Sequence, residues 1–344
     1  MRYTKTFGPW RSLASALAWG ARGPGFKSRR PDQLQPAGHS PSTLGSVLLR
    51  RCAVFFSILL PLAGQAAKHP VRELAPNVYE WQGDREAREP ANALWIVFKD
   101  YVFLVDANFP WGARELLPAI RNTTDKPVRY VFNTHYHGDH SFGNSVFADL
   151  GATIIRTDGC ATEVGTKGLA SWANWKDPNH SLEGAHLQAP GITFSDRLVF
   201  DDGTQRVELI KLGPSHSKGD GVAYLPKEKI VATGDLCVTW PYGNNVGDAD
   251  ADYDRWVRAL EEMASWGPKM VVPGHGPISD SSALLADRDY LTDMMKQVKG
   301  GMEAGKTADE LAAQINLSAH GTIATDAAAN SASVRAMYRH FSRK

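Results

Sequence analysis

The chain has 344 residues, with 38 Lys and Arg against 37 Asp and Glu, so its formal net charge is +1. This near balance hides two unlike parts. Residues 1–66 hold nine basic residues and one acid, Asp32, which leaves residues 67–344 with a net charge of −7. A negatively charged segment has no electrostatic basis for binding phosphate backbones, so nucleic acid is excluded as a partner. Its length is sufficient for one large domain.

The N-terminal 66 residues predict an extension followed by an export signal. Residues 1–45 are rich in Gly, Pro, Arg and Ser without periodicity, which is typical of a disordered or misassigned extension, and translation would then begin near Val47 or Leu48. Residues 46–66 carry the basic pair Arg50-Arg51, an apolar run too short to span a bilayer, and small residues with a cleavage position after Ala66. An uncut membrane anchor is the alternative. We expect a periplasmic or secreted protein with no membrane span after the signal.

The next part of the chain predicts short strands separated by turn residues, with helices between them. Strands are expected at Val78–Trp81, Leu94–Phe98, Tyr101–Val105, Val128–Phe132 and Ala152–Arg156, and helices at Ala113–Ile120 and Ala161–Leu169. Residues 171–191 show no regular pattern, and a second set of strands is expected over residues 192–234.

The C-terminal part predicts helices. Asp252 is expected to cap a helix that runs to Trp266 and carries Trp256, Leu260 and Met263 on one apolar face.

A capping box, Thr307 with Glu310, predicts the start of another helix. Two strand-rich halves, each with helices, predict an α+β fold: a four-layer αββα sandwich with two sheets inside, formed by residues 67–344 as a single domain.

One cluster of side chains dominates the functional interpretation. His135-Tyr136-His137-Gly138-Asp139-His140 offers four potential metal ligands in six positions, directly after a predicted strand. Alternation along an extended chain puts the rings of His135 and His137 on one side. Gly138 lets the chain turn, so that Asp139 and His140 can face a second metal.

Three further potential ligands each follow an apolar strand: His216, Asp235 and His275. Side chains delivered from several strand ends can converge at one edge of a sheet sandwich. Imidazole and carboxylate ligands without a thiolate suit Zn²⁺, with iron or manganese as alternatives. The sequence therefore predicts a metal centre.

The motifs around these residues resemble the metallo-β-lactamase superfamily over about residues 75–280. They are Asn133-Thr134-His135-Tyr136-His137-Gly138-Asp139-His140, Gly213-Pro214-Ser215-His216, Gly234-Asp235-Leu236 and Pro273-Gly274-His275-Gly276. The resemblance implies an αββα sandwich with the site along one edge of the sheets, and two zinc ions per chain.

The same resemblance implies a role for each ligand. The first metal would be held by His135, His137 and His216, and the second by Asp139, His140 and His275, with Asp235 bridging both. Two dications about 3.5–4 Å apart can share a water and lower its pKa to roughly 7, which provides a hydroxide nucleophile. Asp139 would then be the catalytic proton shuttle.

Other residues have weaker predicted roles. Asp106, after the strand ending at Val105, is expected either to orient a ligand histidine or to be an ordinary turn carboxylate. Three residues that closely follow Asp235 are expected to border the substrate pocket: Trp240, Tyr242 and Asn244.

Several further residues have both a functional and an ordinary structural interpretation. In the irregular stretch, a pocket wall and simple packing both remain open for Trp172, Trp175, His180 and His186. Asp84–Glu89 could be a mobile flap or a plain hairpin, and His320 and His340 are expected at the surface. Cys160 and Cys237 are expected to be buried thiols, with a disulfide as the alternative.

The favoured function is an exported binuclear zinc hydrolase that cleaves an ester, lactone or thioester bond of a small-molecule substrate. A bridging Asp235 resembles the thioesterase, lactonase and sulfatase branches of the family rather than its thiolate-containing β-lactamases. Hydrolysis of β-lactam amides is the enzymatic alternative. A non-catalytic, metal-binding periplasmic accessory protein of a quinoprotein system is the alternative from another class. The sequence does not specify an oligomeric state.

Overall fold

The structure, a computed structural model, describes residues 69–343. The expectations for the extension at 1–45 and the signal at 46–66 fall outside the described residues.

The first sheet contains seven strands that lie side by side in chain order. The first four are antiparallel neighbours and the last three are added in parallel. The strands are β1 (Val71–Ala75), β2 (Val78–Trp81), β3 (Ala93–Val97), β4 (Val102–Val105), β5 (Val128–Phe132), β6 (Thr153–Thr157) and β7 (Ile192–Phe194).

Helices occupy the crossovers between the parallel strands, as this connection requires. They are α1 (Pro110–Arg121), α2 (Gly138–Ser141), α3 (Asn144–Ala148), α4 (Asp158–Glu163) and α5 (Leu169–Ala173), with a π-helical turn at Val164–Gly168 between the last two. The predicted helix over 161–169 is therefore broken into three pieces.

The second sheet has five strands, which also lie side by side in chain order. Its strands are β8 (Arg197–Asp201), β9 (Arg206–Lys211), β10 (Gly221–Leu225), β11 (Ile230–Ala232) and β12 (Met270–Val272). Helix α6 (Tyr253–Ser265) connects the parallel pair β11 and β12. The chain ends in α7 (Ser281–Glu303), α8 (Ala308–Gln314), a 3₁₀ turn at Ser318–Ala324, and α9 (Ala327–Phe341).

Side-chain alternation along the strands produces four layers. On β3, Leu94 and Ile96 join a core shared with Leu209 of the second sheet. Trp95, between them in sequence, points to the opposite face and packs with Leu116 of α1. The outer face of the second sheet packs against α6 and α7. The predicted αββα arrangement, with two sheets between helices, is confirmed.

Both predicted helix starts are present. Asp252 caps α6 by accepting a hydrogen bond from the Arg255 backbone N–H. Thr307 and Glu310 form the reciprocal capping box of α8. Each cap satisfies backbone donors that the first turn of a helix leaves without partners.

The cysteines meet a smaller expectation. Within residues 69–343, Cys160 and Cys237 are buried, unpaired thiols rather than a disulfide. Their environment raises the pKa of both through burial. No helix in that range is both long and apolar enough to cross a bilayer.

Candidate metal centre

The structure brings all seven predicted ligands together at one edge of the sandwich. Five of them follow strands and two lie in a short helix: the first two follow β5, the next two lie in α2, and the last three follow β9, β11 and β12. In chain order these residues are His135, His137, Asp139, His140, His216, Asp235 and His275.

Three imidazoles and one carboxylate form the first group. Nε2 of His135 lies 2.9 Å from Nδ1 of His137, and Nε2 of His216 lies 3.2 Å from the same atom. Both Nε2 atoms are 3.7 Å from Oδ2 of Asp235. Donor atoms around a tetrahedral zinc lie about 3.3 Å from one another, since each is 2.0–2.1 Å from the ion. The group has the spacing of a tetrahedral zinc site.

The second group forms around the other oxygen of Asp235. Nε2 of His140 is 3.2 Å from Oδ1 of Asp235, and Nε2 of His275 is 3.1 Å from it. Asp139 closes this group, its Oδ2 lying 3.4 Å from His275 and 3.8 Å from His140. One carboxylate thus presents one oxygen to each group.

Atoms without partners mark where cations fit. Nε2 of His140 and Oδ1 of Asp235 are buried, and neither has a hydrogen-bond partner within residues 69–343. A buried polar atom without a partner costs free energy, so such an atom in a native structure requires an explanation, and an unseen ligand is one. Two buried ligand atoms that face each other at 3.2 Å without a hydrogen bond fit a metal ion.

Two glycines allow the chain to approach Asp235 closely. Gly234, with φ +52°, leaves no room for a side chain, because a Cβ there would lie 2.3 Å from Oγ1 of Thr134. A Cβ on Gly274 would lie 2.1 Å from Oδ1 of Asp235 itself. Larger residues at either position would displace the bridging carboxylate.

Hydrogen bonds from outside the two groups fix the orientation of the histidines. Oδ2 of Asp106 lies 2.8 Å from Nδ1 of His140, and the same carboxylate accepts bonds from the backbone and hydroxyl of Thr134. Nδ1 of His275 lies 2.8 Å from the carbonyl oxygen of Pro90. In each ring the bond at Nδ1 leaves Nε2 free to face the site. The predicted contact of Asp106 with a ligand histidine is confirmed, and the histidine is His140.

A family comparison identifies this arrangement. The family model for the metallo-beta-lactamase superfamily matches residues 87–275, a span that contains all seven ligand residues and more than half of the chain. The chain belongs to this superfamily. As a superfamily member with a complete set of candidate ligands, it is a metal-dependent hydrolase.

Individual relatives of this superfamily member have different activities. It is 28% identical over 208 residues to the type 2 metallo-beta-lactamase of Bacillus sp. (strain 170), across 59% of this chain and 73% of that protein. It is 25% identical over 245 residues to the linear primary-alkylsulfatase of Pseudomonas sp. (strain ATCC 19151), across 60% of this chain. The aligned part is only 46% of that alkylsulfatase.

Solved structures show the same fold. A metallo-beta-lactamase from Pontibacter korlensis superposes with a TM-score of 0.55 at 24% identity, over 65% of this chain and 99% of that one. A stereoselective inverting sec-alkylsulfatase from Pseudomonas sp. superposes with a TM-score of 0.64 at 18% identity, over 79% of this chain and 50% of that one.

In this metallo-hydrolase, a buried charge network that the sequence did not reveal lies behind His137. Nζ of Lys167, in the π-helical turn, is 2.6 Å from Oδ1 of Asp248. Oδ2 of Asp248 accepts a 2.6 Å hydrogen bond from the Tyr136 hydroxyl and faces Nε2 of His137 at 3.8 Å. Burial opposes ionisation of Asp248, but its contacts with His137, Lys167 and Tyr136 outweigh burial and lower its pKa. The network holds an ionised carboxylate against the ring of His137.

The same lysine connects to the loop that carries His216. Nζ of Lys167 lies 2.8 Å from Glu163. The Glu163 carboxylate accepts hydrogen bonds of 3.0 Å from the backbone N–H groups of Lys218 and Gly219. Residues from two distant segments therefore support both loops of the first group. Lys167 and Asp248 are 81 positions apart and form no spacing pattern, so the sequence did not indicate this network.

The electrostatics of the two groups favour cation binding. Burial and the neighbouring His140 lower the pKa of His135, and burial and His137 lower the pKa of His216 to about 3. Both rings are therefore neutral at pH 7, with lone pairs available. Burial alone would disfavour a charged His140, yet Asp235, Asp106 and Asp139 together raise its pKa. These carboxylates favour positive charge at this position, which a bound cation supplies.

A cleft of about 290 Å³ opens onto the ligands. Trp240 forms part of its wall and stacks flat on His275, with ring centroids 4.1 Å apart. Asn244 also lines it and donates a 2.8 Å hydrogen bond to the backbone oxygen of Asp235. Two of the three predicted pocket residues thus border the metal cleft itself.

A larger cavity of about 620 Å³ adjoins the cleft, and Tyr242, the third predicted pocket residue, lies on its wall. The cavity and the cleft share Asp139 and Trp240 among their lining residues. A substrate can therefore extend from the ligand groups into the cavity.

The remaining candidates lie away from the ligand groups. His180 packs against Trp111 at 4.6 Å between ring centroids, and its carbonyl oxygen accepts a hydrogen bond from Trp175. His186 is exposed. His320 was expected at the surface but is half-buried, with Nε2 2.8 Å from Asp293.

The segment 84–89 is a hairpin closed by backbone hydrogen bonds between Asp84 and Glu89. Trp172 packs edge-on against Phe142, at 4.9 Å between ring centroids. His340, also expected at the surface, is half-buried against Tyr253.

Proposed function

We propose that the chain is an exported hydrolase that binds two zinc ions and cleaves an ester, lactone or thioester bond of a small molecule. His135, His137 and His216 would hold the first ion and Asp139, His140 and His275 the second. The observation that supports this assignment is the position of Asp235, whose two oxygens face the two groups at 3.1–3.7 Å.

Two ions held in this way would supply Lewis acidity and a water of lowered pKa, near 7, between the two groups. Asp139 has the least buried carboxylate of the site and lines both the cleft and the larger cavity. It can therefore accept a proton on the substrate side and pass it to the leaving group. Trp240 and Asn244 exclude bulk water from the same side.

The acyl substrate class rests on the donor set. The bridging position is the carboxylate Asp235 rather than a thiolate, which resembles the thioesterase, lactonase and sulfatase branches of the superfamily. Export rests on the signal pattern of residues 46–66. Iron or manganese could replace zinc, because the same donors bind these ions.

Cleavage of β-lactam amides is the second candidate, supported by the 28% identity to a type 2 metallo-beta-lactamase. A sulfate ester belongs in the same test, because an alkylsulfatase is among the relatives. An accessory role without turnover would be indicated if two metals bound and no substrate reacted.

The deciding experiment combines metal analysis with a substrate panel. Protein purified without added metal is analysed for bound ions and then assayed on aryl esters, lactones, lactoylglutathione, nitrocefin and an alkyl sulfate, with and without chelator. We expect about two ions per chain and chelator-sensitive cleavage of an ester, lactone or thioester. Chelator-sensitive cleavage of nitrocefin alone would transfer the proposal to the lactamase alternative.

A further inference from the structure

The larger cavity has a basic wall. Arg85, Arg88 and Arg339 line it, and Asp139 is the single acidic side chain among its lining residues in the described part of the chain. This positive excess stands out because residues 67–344 carry a net charge of −7. A molecule whose reacting bond lies in the metal cleft would place its remaining atoms against these arginines.

Two of the three arginines are available to a ligand. The guanidinium of Arg88 is 2.8 Å from Asp177, a carboxylate that is only 6% exposed, so its charge is already balanced. Arg85 and Arg339 form no ion pair and no side-chain hydrogen bond with any residue between 69 and 343. Their N–H groups are free to bind an anion.

Aromatic rings hold Arg85 in a useful orientation. Its guanidinium carbon lies 3.5 Å from the centre of the Tyr242 ring and 5.4 Å from that of Trp240. A guanidinium stacked by its face keeps its N–H edge free, and that edge matches the two oxygens of a carboxylate or sulfonate. Trp240 in turn stacks on His275. Because the rings of Trp240 and Tyr242 meet edge-on at 5.5 Å, a chain of ring contacts links the free arginine to a residue of the second ligand group.

The wall also has an apolar part, beside the polar side chains of Asn244, Asn245 and Ser333. Phe109, Val246, Ala332 and Ala336 contribute to it. A ligand that fits the cavity therefore combines a short apolar segment with a negative group.

We propose that Arg85 and Arg339 form a binding site for the anionic group of the substrate, a carboxylate or a sulfate or sulfonate, carried on the part away from the reacting bond. The preferred substrates would be negatively charged esters or lactones rather than neutral ones. The assignment of the reacting bond rests on the proposed function, whereas anion binding in the cavity does not.

The kinetic test compares two esters that share a leaving group: mono-4-nitrophenyl succinate, which is negatively charged, and 4-nitrophenyl butyrate, which is neutral. In Arg85→Gln and Arg339→Gln we expect KM for the succinate to rise about tenfold, with kcat little changed, because a hydrogen bond to a charged group is lost. KM for the butyrate should stay within about twofold. Arg335→Gln, also on α9 but paired with Asp309 and outside the cavity lining, is the matched control.

A binding test separates this proposal from hydrolysis. Hexanesulfonate, which carries no ester, is titrated calorimetrically into the metal-loaded protein and its variants. We expect binding that weakens with added salt. The affinity should fall about tenfold in each cavity variant and stay unchanged in Arg335→Gln. Such a result would support the anion site even if no ester were cleaved. Absence of binding to the wild type, or equal affinity in the wild type and the Arg85→Gln, Arg339→Gln double variant, would overturn it.

Discussion

The metal cleft and the larger cavity beside it are built in different ways. The cleft is formed mainly by side chains near strand ends, nearly all buried, and the rings of His140 and His275 are held by further hydrogen bonds, such as that of His140 with Asp106. The cavity is formed by a hairpin, by the loop over residues 240–247 and by helix α9, and Arg85 and Arg339 are exposed. The superfamily match spans residues 87–275, so it includes every ligand residue but neither of these arginines. We infer that the family-wide chemistry and the selectivity of this chain are carried by separate parts.

The largest effect is expected from Asp235→Asn, which tests whether the two regions are independent. Loss of the bridging charge should lower the bound metal from about two ions to one and reduce kcat at least about 1,000-fold, since most of the electrostatic stabilisation is lost. Metal analysis and the ester assay measure both. Hexanesulfonate should bind as in the wild type, because the cavity is untouched.

Asp196→Asn, an exposed carboxylate outside both regions, is the control and should behave as the wild type. Two tightly bound ions and full activity in Asp235→Asn would show that the bridging assignment is wrong.

Chelation should separate the regions thermodynamically. At a concentration about 1,000 times its Kd, each of the two ions stabilises the folded state by about 4 kcal/mol, and removing both should lower Tm by about 20 °C. Thermal unfolding followed by circular dichroism, with chelator and after reloading with zinc, measures the change. The chelated protein should still bind hexanesulfonate below its Tm. An unchanged Tm, with metal removal verified, would mean that the ions contribute nothing to folding stability.

The metal cleft could be predicted because each ligand residue is marked twice in the sequence. His216, Asp235 and His275 are each a metal-binding residue type, and each directly follows an apolar strand. Strand ends meet at a common edge, so position along the chain translates into position in space. The same logic led to Asp106 at the end of β4, and the structure places it on His140.

The support of the site and the cavity could not be predicted, because their residues share no local pattern. Lys167 meets Asp248 from 81 positions away, and Arg85 and Arg339 line one cavity from opposite ends of the domain. Lys167 also lies in a π-helical turn, which periodicity cannot distinguish from an ordinary helix. Strand β1 was missed because its first three residues are exposed and give no apolar run. These features depend on tertiary packing rather than on spacing.

A smaller effect is expected from Lys167→Met, which tests whether the buried network positions the first ligand group. Without the ammonium, Asp248 and Glu163 lose their shared partner and the loops of His137 and His216 should loosen. We expect a 10- to 100-fold loss of affinity for one of the two ions, the usual range for residues that orient ligands. Titration against a competing chelator measures it.

Lys167→Arg should restore part of this affinity, because it keeps the positive charge. Lys211→Met removes an ion pair with Asp158 away from the site and is the matched control. If Lys167→Met binds both ions as tightly as the wild type, the network serves folding alone.

The smallest effect concerns Glu80, a buried carboxyl that, unlike Asp235, belongs to no candidate metal group among the described residues. Its side chain is fully buried in β2, and neither oxygen has a hydrogen-bond partner among the described residues. Burial raises its pKa to about 7, and Arg72, 4.0 Å away, only partly opposes this.

Because the pKa of Glu80 is higher in the folded than in the unfolded chain, the unfolded chain releases this proton at lower pH. Stability therefore falls as pH rises from about 4.5 to 7 and then levels off. Between pH 4.5 and pH 8 the free energy of unfolding should fall by about 3 kcal/mol more in the wild type than in Glu80→Gln. Denaturant unfolding of the chelated proteins measures this, with the exposed Glu73→Gln on β1 as control. Parallel curves of unfolding free energy against pH for wild type and Glu80→Gln would show that this carboxyl ionises in the fold as easily as in water. Burial would then cost its ionised form little free energy.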